Sequence, residues 1–178
     1  DGLNDLILGA GNGLSVWSSN STGTAYSNFS PSDYIFCQRT NFADLNNDGN
    51  LDVIVNCLDG PALILKNKHP QQLSMDISFK GNNKNTFGIG AKAWLFTKGR
   101  MQYQQLMLTR GFQSSCDAKI HFGLDSTRYI DSLLIVWPDQ RYQVLKNIPV
   151  VGKMTVNQAE ANYGFDYKKY FPQPARHF

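Results

Sequence analysis

Apolar and polar residues alternate with a period of two in Leu73-Ser74-Met75-Asp76-Ile77-Ser78-Phe79, in Ala91-Lys92-Ala93-Trp94-Leu95-Phe96, in Gln105-Leu106-Met107-Leu108 and around Ile130-Asp131-Ser132-Leu133-Leu134-Ile135-Val136-Trp137. Successive side chains of a strand point to opposite faces, so this alternation predicts strands with one face against a core. Turn chemistry bounds the runs, as in Lys80-Gly81-Asn82-Asn83, Lys98-Gly99 and Pro138-Asp139. No stretch carries a helical period. Short strands about ten residues apart predict an antiparallel sandwich or barrel-like unit, all-β in class, over residues 73–157.

The first third of the chain repeats itself. Moving Asp1 onto Asp48, a shift of 47 residues, places Asp1-Gly2-Leu3-Asn4-Asp5-Leu6-Ile7-Leu8 on Asp48-Gly49-Asn50-Leu51-Asp52-Val53-Ile54-Val55, and the match runs ungapped to Asn20 on Asn67. A period of about 40 to 50 residues in strand-rich sequence suits the blades of a β-propeller. About one and a half blades cannot close a propeller, and Asp1 corresponds to the middle of the repeated loop. The chain is therefore expected to be a fragment of a longer protein.

The complete copy of that loop reads Asp44-Leu45-Asn46-Asn47-Asp48-Gly49-Asn50-Leu51-Asp52. Three carboxylates and an amide at alternate positions, with a glycine at the sharp turn, form an oxygen-rich set of the kind that Ca²⁺ prefers. The opening resembles an EF-hand loop, but its twelfth position is Val55 where a bidentate Glu belongs, and the following residues alternate as a strand.

With the short Asn41-Phe42-Ala43 strand before it, this loop resembles the FG-GAP or VCBS repeat family over residues 1–67. The resemblance implies a propeller blade with a structural calcium ion held by the side chains of Asp44, Asn46, Asp48 and Asp52 and the backbone carbonyl of Asn50. The first repeat retains only Asp1 and Asp5 of that set, with Leu3 at the carbonyl position, and no strong site is expected there.

After the linker at residues 68–72, four phrases in order are similar to the ASPIC/UnbV domain: Gly88-Ile89-Gly90-Ala91-Lys92, Arg110-Gly111-Phe112-Gln113-Ser114-Ser115, Ile120-His121-Phe122-Gly123-Leu124 and Ile130 through Asp139. The resemblance covers residues 73–157 and implies a small all-β module of secreted or surface proteins, in the domain order of cartilage acidic protein-like chains. Residues 158–178 read as a tail whose aromatics pack on a further module.

Composition narrows the function further. The 178 residues are 42% hydrophobic and 12% aromatic, ample for folded β modules. A net charge of +3 with scattered basic residues gives no reason to invoke nucleic acid. No apolar run approaches the roughly 20 residues of a membrane helix. A chain that begins inside a repeat would not display a signal peptide.

Cys37, Cys57 and Cys116 lack metal-like spacing. Cys37 and Cys57 lie on opposite arms of the loop, and both a disulfide and two buried thiols are open to them. His121 stands near Ser114, Ser115 and Asp117, the residue types of a hydrolytic triad, but no Gly-x-Ser-x-Gly elbow exposes a serine, and the alternation makes His121 a hydrogen-bonding strand residue. His69 falls in the linker and His177 in the tail, both solvated. Asp131 and Asp139 are eight residues apart, which at about 3.3 Å each in a strand is too far for a glycosidase pair. Asn20-Ser21-Thr22 and Asn28-Phe29-Ser30 are glycosylation sequons.

The sequence thus predicts no catalytic residues. It predicts a calcium-binding, secreted or cell-surface protein of adhesion, whose partner is an extracellular protein or carbohydrate. The alternative is an accessory module of a larger secreted hydrolase with its active site elsewhere.

Overall fold

A computed structural model describes residues 5–10, 13–19, 26–32, 37–58, 60–68, 73–109 and 114–171; for residues 8–10, 13, 26–32, 37 and 38 only the backbone is described. Asp1, Leu3, the sequon at Asn20, His69, most of the 68–72 linker, residues 110–113 of one ASPIC/UnbV-like phrase and His177 lie outside the described residues.

The repeated sequence forms two three-stranded antiparallel meanders. β1 (Leu6–Ala10), β2 (Gly13–Ser19) and β3 (Tyr26–Ser32) make the first, and β4 (Cys37–Ala43), β5 (Asp52–Cys57) and β6 (Leu63–Leu65) the second. Neither sheet is closed, as befits propeller-like blades. Leu14 of the first and Val55 of the second are buried together, with Ile7, Val53, Leu63 and Leu65 around them. The repeat survives in the pairing with one difference. Leu6 faces Trp17 in the first hairpin, whereas Val53 faces Leu65, one residue further than the 47-residue shift predicts. The second hairpin therefore carries one additional residue, which leaves Ile64 exposed between its inward neighbours.

Residues 73–157 form a sandwich of two sheets. β7 (Leu73–Lys80) lies between β10 (Lys119–Asp125) and β13 (Gly152–Asn157), while β8 (Lys92–Thr97), β9 (Arg100–Gln105), β11 (Tyr129–Val136) and β12 (Tyr142–Pro149) form a sheet in the order β12-β11-β8-β9. The alternation is realised as predicted in β7: Met75, Ile77 and Phe79 enter the core while Ser74, Asp76 and Ser78 take the other face. Ile120, Phe122 and Leu124 of β10 join them, and Ala93, Leu95, Leu133, Ile135 and Trp137 supply the facing layer.

Three expectations need correction. A strand was expected over Gln105–Leu108, but the strand is Arg100–Gln105. Lys98 and Gly99 both take left-handed backbone angles (φ 48° and 75°) and make a two-residue hairpin, so β9 starts directly after them. Leu106 leaves the ladder yet stays buried, bonding through its backbone to Gly90 and Ala91. The unit is also not wholly antiparallel, because β13 runs parallel to β7. Finally, the aromatics in the described part of the tail, residues 158–171, pack on this same module. Phe165, Tyr167 and Phe171 fold back over Trp94, Leu134 and Val136, and a short helix α1 (Tyr167–Tyr170) lies among them. That cover explains why β11 is apolar on both faces, a continuous run that alternation alone does not explain.

Gly88 lets one loop approach the core. Its φ is +64°, and a Cβ there would lie 2.8 Å from both Phe79 Cβ and the Trp137 ring. Gly88→Ala is expected to destabilise the sandwich by about 1–3 kcal/mol through overpacking and backbone strain. Urea unfolding measures this, and an unchanged midpoint would refute the close approach.

Candidate metal centre

The acidic loop joins β4 to β5 and is shaped by its own side chains. The Asp44 carboxylate accepts the backbone N–H groups of Asp48 and Gly49 at 3.1 and 3.0 Å. Asn46 accepts the Asp48 N–H at 3.3 Å and donates its amide to Asp48 Oδ2 at 2.7 Å. Asp48 Oδ1 accepts the Asn50 N–H at 2.9 Å. These bonds curl the chain so tightly that Asn47 and Gly49 take positive φ, 58° and 88°. The N–H of Asn50, then the amide of Asn46, hold the Asp48 carboxyl below the ordinary carboxylate range.

Asp52 stands differently. It is buried, and its two oxygens accept the Leu45 N–H at 3.3 Å and the Asn67 N–H at 2.8 Å, tying the loop's start to the chain after β6. In the first repeat Asp5 accepts the Ser19 N–H at 2.8 Å, a corresponding tie displaced by the one extra residue. Sequence reading assigned Asp52 to metal alone; this clamp was visible only once the hairpin pairing was known.

Oxygen donors from three aspartates and an asparagine are the chemistry that calcium requires, and a carboxylate oxygen that accepts one N–H keeps a second lone pair for a cation. Lys66, 3.9 Å from Asp48, is the one basic side chain paired with the loop's carboxylates among the described residues. Among those residues no three acidic, imidazole or thiol groups converge on one point as a metal set. The donor types are ones that calcium takes; Asp44, Asn46 and Asp48 adjoin through hydrogen bonds, while Asp52 turns toward backbone N–H groups.

The second module supports this loop, through residues that the sequence did not single out. Ser74 of β7 donates its hydroxyl to the Gly49 carbonyl at 2.7 Å, and Lys153 of β13 reaches Asn47 Oδ1 at 3.3 Å. Both lie on the polar face of the sheet β10-β7-β13. The same face carries a charged cluster in which Asp76, 8% exposed, meets Lys119 Nζ at 2.9 Å and His121 Nδ1 at 2.7 Å. His121 is directly opposite Asp76 across the ladder, the hydrogen-bonding role expected of it. Asp131 and Asp139 are likewise absorbed locally: Asp131 accepts the Lys98 N–H, and Asp139 binds Arg141 and Gln158. Cys37 faces Cys57 in the β4–β5 register, and the Cys57 thiol is free.

Burial alone would raise the Asp76 carboxyl, but hydrogen bonds from Lys119 and His121 outweigh it and hold the group below its ordinary value of 3.8. A carboxyl whose folded pKa is depressed contributes stability above the unfolded value, and that contribution is lost as pH falls through the lower, folded one. Urea midpoints should therefore fall below about pH 4, and Asp76→Asn should flatten that decline while costing about 2 kcal/mol at pH 7. A decline identical in both proteins would rule out Asp76 as its source.

Residues 1–55 match the sequence model of the FG-GAP-like repeat, and residues 81–163 match that of the ASPIC and UnbV family. The repeat precedes the second module, as the motifs had suggested. These are generally non-catalytic modules. No curated protein matches the chain. Among the described residues no helix is long and apolar enough to cross a membrane.

Proposed function

We propose that this chain, an FG-GAP-like repeat followed by an ASPIC/UnbV module, is a calcium-binding, non-catalytic part of a secreted or cell-surface adhesion protein. It would have a cartilage acidic protein-like domain order and present its surface to an extracellular protein or carbohydrate. The observation that carries this reading is the loop at residues 44–52, where three aspartates lie within nine residues, Lys66 alone forms an ion pair with them among the described residues, and the turn sits against the second module through Ser74 and Lys153.

Asp44, Asn46, Asp48 and Asp52 would hold the ion with the Asn50 carbonyl, and the ion would supply the positive charge that the loop lacks. Asp44 fixes the turn, Asp52 anchors it to the blade, and Ser74 passes its position to the sandwich. Folding of the blade and metal binding are then coupled.

Calcium titrated into chelator-treated protein should bind saturably. At a concentration one hundred times Kd it should stabilise the protein by about 2.7 kcal/mol. Asp48→Ala should abolish both effects. No heat of binding and an unchanged thermal midpoint at millimolar calcium would defeat the proposal.

A further inference from the structure

A cavity of about 300 Å³, with polar and apolar lining in similar measure, opens where the β8–β9 hairpin meets the end of β10. We infer that this cavity binds an acidic sugar ring, a hexuronate, through Lys98 and Arg100 on one wall and hydroxyl-matching groups of Thr97, Gln102, Asp125 and Thr127 on the others. The inference deepens the reading of an extracellular binding protein and rests on its carbohydrate branch.

Four observations carry it. Lys98 and Arg100 are exposed at the cavity, and among the described residues neither forms an ion pair. Two cations on one hairpin against the single carboxylate of Asp125 in the lining favour an anionic group, and guanidinium matches a carboxylate in a bidentate manner. Thr97 is 8% exposed and lines the cavity; its hydroxyl oxygen is buried without a hydrogen-bond partner and meets a ligand there by a turn about χ1. Such a group normally costs stability unless something satisfies it.

The cavity is also held open by built structure. Gln102 donates its amide to the Gly123 carbonyl at 2.9 Å, joining the edges of the two sheets beneath it and leaving its own carbonyl oxygen as an acceptor. The ladder slips between Gly123 and Asp125, and Asp125 takes a φ of 51° at the rim. Bulges of this kind re-aim side chains at sheet ends.

Size and lining then select among anions. The volume lies at the small end of ligand sites, suited to one ring and not to an extended peptide. A simple oxyanion would use the two cations and leave the hydroxyls and the Asp125 carboxylate idle. A ring bearing one carboxylate and several hydroxyls uses both sets.

The test is an amide-resolved NMR titration of the whole chain with sodium D-glucuronate, alongside methyl glucoside, N-acetylglutamate and inorganic sulfate. Saturable shifts confined to residues 97–102 and 123–127 are expected for glucuronate. Arg100→Gln should weaken binding at least tenfold, and Thr97→Val severalfold. Arg100 is exposed, so an unchanged thermal midpoint will confirm that its variant folds. Absence of saturation overturns the inference, as do equal affinities for sulfate or N-acetylglutamate, or an Arg100→Gln protein that binds normally. The titration is repeated in chelator. Binding there is expected to persist, because no residue of the 44–52 loop lines the cavity. Failure of calcium binding alone would therefore leave this site standing, and failure of glucuronate alone would leave the metal reading standing.

Discussion

Trp137→Ala is expected to leave much of the second module unfolded. The ring is 1% exposed, meets Phe79 edge-on at 5.6 Å, and donates its indole N–H to the Gln143 carbonyl oxygen at 3.1 Å. Truncating a buried tryptophan costs about 3–5 kcal/mol from the lost burial and the cavity left behind. The buried Gln143 oxygen would then lack its donor, which adds about 1–3 kcal/mol. Small domains have about 5–15 kcal/mol in total, so the substitution removes a large share of it. Equilibrium urea unfolding followed by circular dichroism should show the loss, while Trp137→Phe, which keeps a ring against Phe79, should recover part of it. A loss below about 1 kcal/mol for the alanine variant would mean that the ring is not the keystone described.

The second large effect is expected at Asp52. Replacing it with alanine removes the shared acceptor of the Leu45 and Asn67 N–H groups; both residues are exposed, so water takes up part of the loss and the cost should be about 1–3 kcal/mol in all. The loss should be confined to the repeat. Amide exchange of β5 and β6 should accelerate, the 44–52 loop should lose calcium affinity, and the sandwich should keep its protection. Asp52→Asn, which retains an acceptor, should fall between. If exchange in β5 and β6 is unchanged, the clamp is not what holds the hairpin.

Much of the sandwich is legible in the chain because alternation reports directly which face of a strand is buried. Leu73 through Phe79 needs only the period of two, and the correspondence with β7 is nearly residue for residue. The misplaced strand at Gln105–Leu108 shows the limit of that signal. Leu106 is buried by a loop contact, and its neighbours mimic alternation without a ladder. The parallel pairing of β13 with β7 is not local at all, since it joins residues more than seventy positions apart. At the candidate site, the donor residue types and the turn at Gly49 could be read from spacing. The clamp role of Asp52 could not, because its N–H partner at Asn67 depends on an extra residue in the following hairpin. Ser74 and Lys153 were hidden for a related reason: they reach the loop from another module, through contacts that no linear pattern encodes.

That long-range pairing bears on how the module is made. β7 is the first strand of the sandwich in sequence and the central one of its sheet, with β10 on one side and β13 on the other. During synthesis it emerges early and must wait for residues 152–157 before one of its edges is covered. Contacts so distant in sequence slow the search for the native state, and an uncovered central strand is prone to pair with other chains. Shortening the chain before Gly152 should therefore produce aggregation of newly made protein, with the fault lying in the timing of assembly and not in any residue removed from a binding site.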